Sequence, residues 1–248
     1  MKKDPMQIAL ITFFFCAATT GAIMGGCLLG KKQQDAAAQQ IYQKLEEAVI
    51  VPGKDNAENL QMDHLPELDE EMLKDQNHEY AAWIYIPDTV ISYPVVFPED
   101  NKTYLTQGFE KNRHSYGCLF FDASAKPFSM VNTVIHGHNM RSGDMFGSLK
   151  NYLKQDYADQ HTELYLLIDG KWNHYELLAA YRTSQLEVFP YRNTFMDESD
   201  FTQYMDGVKE RSGVNVGIEI MENIGELLTL STCHGKKEKM IVQWLKQE

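Results

Sequence analysis

Cys233 closes the run Thr229-Leu230-Ser231-Thr232-Cys233, a strand-like pattern that ends just before the polar turn His234 to Lys237. A strand end fixes the backbone yet leaves the side chain accessible, and positive charge nearby stabilises the thiolate that acts as nucleophile. The competing reading is an inert packed thiol. A second run, Asn132-Thr133-Val134-Ile135-His136-Gly137-His138-Asn139-Met140, is an apolar strand opening into a turn with two histidines. Imidazole titrates nearest neutrality, which suits it to acid/base work beside a thiol. A His-x-His pair can also present both rings on one face, so with Cys233 or His234 it would offer a zinc site, but no fourth ligand recurs at a recognisable spacing. Lys236, Lys237 and Lys239 follow directly on the cysteine strand. They are either a cationic support for a developing oxyanion or a solvated turn that offsets an acidic body, and spacing alone does not separate the two.

These side chains must be positioned by β structure. Trp83 to Ile86, Val90 to Val96, Gly117 to Phe121, Val131 to His136, Thr162 to Ile168, His174 to Arg182, Glu226 to Ser231 and Met240 to Leu245 are short runs rich in β-branched and aromatic residues, separated by Pro, Asp, Asn and Gly. Asp169-Gly170 between two of them is a hairpin signal. Helical patterns intervene at Asp144 to Leu153 and at Glu198 to Glu210, where Phe201, Tyr204, Met205 and Val208 line one face. Eight short strands with few helices predict a mainly β fold, a closed or nearly closed barrel with peripheral helices.

The 248 residues are 44% hydrophobic and 23% charged, enough to bury a full core. A formal charge of −12 repels polyanions and argues against nucleic acid as partner. Setting aside residues 1–32 leaves 19 basic against 34 acidic residues, a net of −15. No Asp, Glu, Lys, Arg or His falls between Asp4 and Lys31. As a helix, residues 7–30 would extend about 36 Å, enough to cross a hydrocarbon core of about 30 Å. A cleaved signal peptide is the alternative, but its apolar core runs only about 7 to 15 residues, so the stretch reads as an uncleaved anchor spanning the lipid bilayer. Lysines flank it on both sides, so its charges scarcely choose an orientation. Ile41, Leu45, Ala48 and Val49 recur at helical spacing and predict a juxtamembrane helix over Asp35 to Val51. A linker with a short helix near Leu68 to Lys74 follows, and the compact domain is expected to begin near Tyr80. The predicted organisation is an anchor at 1–32, a helical linker at 33–79 and a catalytic barrel at 80–248. Cys118 lies in the apolar stretch Gly117 to Phe121 and reads as a small buried thiol, with a single bridge to Cys233 as the alternative.

Taken together, Thr229 to Cys233, Gly137-His138-Asn139-Met140 and the N-terminal anchor resemble the sortases, the cysteine transpeptidases of Gram-positive cell surfaces. Trp83-Ile84-Tyr85-Ile86-Pro87-Asp88-Thr89, Tyr93-Pro94-Val95-Val96, Asp100-Asn101, Tyr104-Leu105, Met145-Phe146 and the helix before the cysteine strand resemble class B. The resemblance implies an eight-stranded sortase-type barrel plus an N-terminal transmembrane helix, in a single-pass cell-membrane protein with a cytoplasmic N-terminus and an extracellular catalytic domain. It makes Cys233 the nucleophile and His138 the catalytic histidine, gives His136 a packing role, and requires no metal or organic cofactor. Lys239 falls where the family has an Arg, and no Arg follows Arg211, so the third catalytic cation is either Lys239 or an Arg from elsewhere, such as Arg182 or Arg192. Cys233 would cleave a Thr-Gly-like bond in the C-terminal sorting signal of a surface protein, and a peptidoglycan-precursor or pilin amine would accept the acyl group. The alternatives are a sortase-like binding or scaffold protein whose turnover is impaired by Lys239, and a cysteine peptidase in which water resolves the acyl-enzyme.

Overall fold

Asp169 and Gly170 both adopt positive φ, 47° and 77°, the backbone of a tight two-residue hairpin whose twist matches the strands it joins. The strands on either side, Glu163–Ile168 and Lys171–Ser184, pair in register from Ile168↔Lys171 outward. They belong to a closed barrel seen in a computed structural model that describes residues 30, 33–50, 65–217 and 225–247. Its eight strands are β1 (Tyr80–Tyr85), β2 (Ser92–Val96), β3 (Leu119–Phe121), β4 (Asn132–His136), β5 (Glu163–Ile168), β6 (Lys171–Ser184), β7 (Leu227–His234) and β8 (Glu238–Lys246). They close in the order β1-β2-β3-β4-β7-β8-β6-β5. The β2–β3 and β4–β7 pairs are parallel and the others antiparallel, so this is a mixed barrel.

Because side chains alternate along a strand, β7 faces two layers. Leu228 and Leu230 join Trp83, Phe120, Val242 and Trp244 in the barrel interior. Leu227 faces outward with Ile241 and Leu245 of β8 and meets the helix Glu198–Arg211. Phe201, Tyr204, Met205 and Val208 of that helix are buried there, as their spacing predicts. The side chain of Asp197 caps its first turn by accepting from Asp200 N at 2.9 Å.

Four expectations are corrected. The pattern at Asp144 to Leu153 is no α-helix but a 3-10 run, Gly147–Leu153, followed by a short α-helix, Gln155–Gln160. Met145 has φ 51° and bridges Asn139, which excludes an α-helix from starting there. β6 begins three residues before the expected His174, because pairing to β5 through the hairpin holds Lys171, Trp172 and Asn173 in the ladder. The short helix of the linker runs over Glu70–Gln76. The helix at 33–49, called α1 below, packs through Ala38, Tyr42, Leu45 and Val49, with Ala48 exposed. All four packed residues join the barrel's core cluster, so α1 is a docked element.

Of the expected membrane segment, residues 1–29 and 31–32 lie outside the described residues, as does the linker from 51 to 64. Among the described residues no helix is long and apolar enough to cross a membrane.

Candidate active site

The parallel β4–β7 pair ends at His136↔Ser231, but the chains stay together beyond it. Gly137 N donates to Ser231 O at 3.2 Å, Thr232 Oγ1 to Gly137 O at 2.7 Å and Asn139 Nδ2 to Cys233 O at 2.6 Å. These three bonds carry the segment Gly137 to Asn139 along β7, which sets His138 beside Cys233. Gly137 permits the approach: a Cβ there would lie 2.3 Å from Leu119 Cδ2 and 2.7 Å from Phe146 Cδ2.

The half-buried imidazole of His138 has its Nε2 2.5 Å from Leu105 O. A carbonyl can only accept, so Nε2 carries the proton and Nδ1 is left to exchange protons with a reacting group. Cys233 is an exposed free thiol. Cys118 is also free, buried against Pro94 O at 3.6 Å, and burial pushes its pKa up to about 12, so it stays protonated at neutral pH. The alternative Cys118–Cys233 bridge is absent.

On the other side of β7, Cys233 pairs directly with Lys239 of β8, and directly paired residues share a face of the sheet. The Lys239 ammonium stands 4.6 Å from the centroid of the Tyr191 ring, a cation–π contact, and the Tyr191 hydroxyl is hydrogen-bonded to Ser231 Oγ at 2.9 Å. Lys239 therefore sits on the nucleophile's side of the sheet. Arg182 does not: Thr183 is the cross-strand partner of Lys239, so its neighbour Arg182 points to the opposite face, where it meets Glu238 at 3.7 Å. Arg192 is engaged at the start of the 198–211 helix, paired with Asp200 and lying 4.7 Å from the Phe195 centroid.

His136 is more than packing. Its Nε2 donates to Asp122 Oδ2 at 2.9 Å, and its ring lies against Phe120 and Tyr191 at centroid distances of 5.4 and 6.2 Å. That hydrogen bond, with others from Ser124, holds the Asp122 carboxyl well below the usual carboxylate range. The two histidines thus have separate partners, and among the described residues no group of three or more His, Cys, Asp or Glu side chains is arranged to hold a metal. Reading the sequence missed the Asp122 pairing, the Leu105 carbonyl and Tyr191. Backbone carbonyls carry no sequence signature, and the other two are set by cross-strand and loop neighbours far apart in the chain.

An accessible thiol, a histidine with its reactive nitrogen fixed by the bond on the other, and a cation across the ladder form a set suited to acyl transfer. The family model of the sortase domain matches residues 84–245. Sortase B of Listeria monocytogenes is 30% identical over 177 residues, spanning 69% of this chain and 71% of the relative. The fold matches the X-ray structure of Clostridium perfringens sortase B with a TM-score of 0.68 and 27% identity, over 73% of this chain and all of that one. It matches a Staphylococcus aureus sortase B–substrate complex with a TM-score of 0.71 and 23% identity, over 89% and 99% of the two chains.

Proposed function

The chain belongs to the sortase family, as a class B sortase and so a cysteine transpeptidase, and on that premise we propose that it is anchored in the cell membrane by residues 1–32 and transfers sorting-signal proteins to an extracellular amine. Cys233 attacks the carbonyl of a Thr-Gly-like amide, forming the S–C bond of a thioester as the C–N bond breaks. The His138 imidazolium gives its Nδ1 proton to the departing amine. The acceptor amine of a peptidoglycan precursor or pilin then attacks the thioester, His138 takes its proton, and Cys233 leaves as thiolate. Lys239 faces the oxyanion of both tetrahedral intermediates.

The observation that carries this reading is the placement of Cys233 between the His138 segment on one neighbouring strand and Lys239 on the other. The related Staphylococcus aureus protein was captured in a complex with its substrate, which supports substrate binding by this chain. The catalytic domain must lie outside the cell to meet such an acceptor, so added protease should digest residues 33–248 on intact protoplasts while the N-terminus stays with the membrane. A secreted form lacking residues 1–30 would instead support a cleaved signal. Incubation with sorting-signal peptides, with and without an amine, tests the chemistry: transpeptidation gives an amine-dependent conjugate, a peptidase gives only hydrolysis, and a scaffold gives neither.

A further inference from the structure

His138 owes its orientation to a carbonyl, and that carbonyl is backed by α1. Leu105 ends the 3-10 turn Thr103–Leu105, which packs directly on Gly117. A Cβ on Gly117, whose φ is +59°, would stand 2.3 Å from Tyr104 O and 3.1 Å from Leu105 O. Cys118 N donates to Tyr104 O at 3.0 Å, so the Gly117–Cys118 backbone is the wall behind the Leu105 peptide. That wall is gripped by α1: the Tyr42 hydroxyl donates to Gly117 O at 2.5 Å and accepts from Phe109 N at 3.3 Å. The Tyr42 ring is buried, edge-on to Tyr93 at 5.5 Å. A second arm leaves α1 at Gln39, whose Nε2 is 3.5 Å from Asp144 Oδ1. Asp144 also accepts from the Tyr116 hydroxyl at 2.5 Å, and two residues on, Phe146 N donates to His138 O at 2.9 Å. One arm thus reaches the imidazole through its acceptor, and the other reaches the backbone of the same residue.

We propose that α1 is a positioning element for catalysis, with Tyr42 a positioning residue that fixes the Leu105 carbonyl and through it the Nε2–H tautomer of His138. The proposal rests on the transpeptidase reading only for the role given to His138. It makes the helix next to the expected anchor part of the catalytic apparatus: with α1 undocked, the barrel would retain its strands and its thiol but lose the fixed imidazole. A Tyr42 that merely filled the core would leave the ring of His138 unaffected when its hydroxyl is removed.

The test is Tyr42→Phe in the full chain, in detergent micelles, which deletes one oxygen and keeps the ring. The expected result is a fall in kcat for peptide-to-amine transfer of about 10-fold, a partial version of the roughly 10²-fold cost of a 1 Å misplacement. KM for the peptide should stay within about twofold, because Tyr42 is buried on the inner face of α1 and the change leaves the exposed surface unaltered. Nitrogen NMR of histidine-labelled protein should show His138 as the Nε2–H tautomer in the parent and as a mixture in the variant. Unchanged His138 ring signals overturn the proposal whether or not kcat falls, since a loss of rate alone would then come from elsewhere. A parent chain that turns over no peptide would refute the proposed function, while the ring signals would still decide the positioning role.

Discussion

Replacing Lys239 by Met removes the ammonium while keeping a side chain of similar length over the Tyr191 ring. Lys239 and Cys233 are direct cross-strand partners, and such Cβ atoms lie about 4.5–5.5 Å apart. The oxyanion forms at the substrate carbonyl whose carbon is bonded to Cys233 Sγ, and an ammonium reaching it from the neighbouring strand at about 5 Å is the contact that the oxyanion role requires. At the effective dielectric of about 20 that suits a pair near the protein surface, two unit charges at that distance interact by about 3 kcal/mol, a rate effect of about 10². That matches the usual cost of one lost oxyanion donor, about 10² to 10³. Lys239→Met should slow acylation by about 10²-fold in a single-turnover assay that follows peptide cleavage with enzyme in excess. Lys239→Arg should equal or exceed the parent, because a guanidinium offers more donors in a fixed fork and stacks on an aromatic face as readily. A folded Lys239→Met enzyme that acylates within about twofold of the parent would refute the oxyanion role. A large loss in Arg182→Ala with Lys239→Met unaffected would refute the facing of β6 and β8 derived above.

Cys118→Ala should leave both turnover and thiol labelling intact, since a thiol held near pKa 12 supplies almost no thiolate at pH 8; loss of labelling stoichiometry relative to the parent would contradict this. Gly137→Ala should lower stability by about 1–3 kcal/mol through overpacking against Leu119 and Phe146 and should slow transfer by displacing His138, measured by thermal unfolding and peptide turnover on the same sample. The Asp122 carboxyl is held below its ordinary range in the folded state, so its contribution to stability is full above the unfolded-state pKa of about 4 and is lost as the pH falls through the lower folded value. Asp122→Asn should therefore unfold more easily than the parent at pH 7, with the gap closing at strongly acid pH; a gap that widens on acidification would reverse the sign of that argument.

Much of the barrel is legible in the chain because its strands alternate cleanly or run fully apolar, and Asp169-Gly170 fixes one hairpin outright. The 198–211 helix is equally plain from its four apolar residues at helical spacing. What stays hidden depends on contacts between distant segments. The spacing of Ile41, Leu45, Ala48 and Val49 marks an amphipathic helix without singling out Tyr42, and only docking shows that the buried face runs through Ala38, Tyr42, Leu45 and Val49. His136 reads as packing until β3 and β4 bring Asp122 within 2.9 Å. Cys233 and His138 stand out because a nucleophile and its partner must be specific residue types. Their surroundings do not, because Leu105 O is a backbone atom and Lys239 gains meaning only from its register with Cys233.

The central claim is that the Cys233 thiol carries the acyl group between peptide and amine. Intact-protein mass spectrometry, after brief mixing with a pool of peptides bearing Thr-Gly-like sorting signals and an acid quench, tests it most directly. The expected result is a mass increase equal to the peptide's N-terminal fragment, mapped to Cys233, absent in Cys233→Ala and discharged as an amide conjugate when an amine acceptor is added before the quench. Peptide cleavage that persists in Cys233→Ala, or an acyl adduct mapping to another residue, would contradict it.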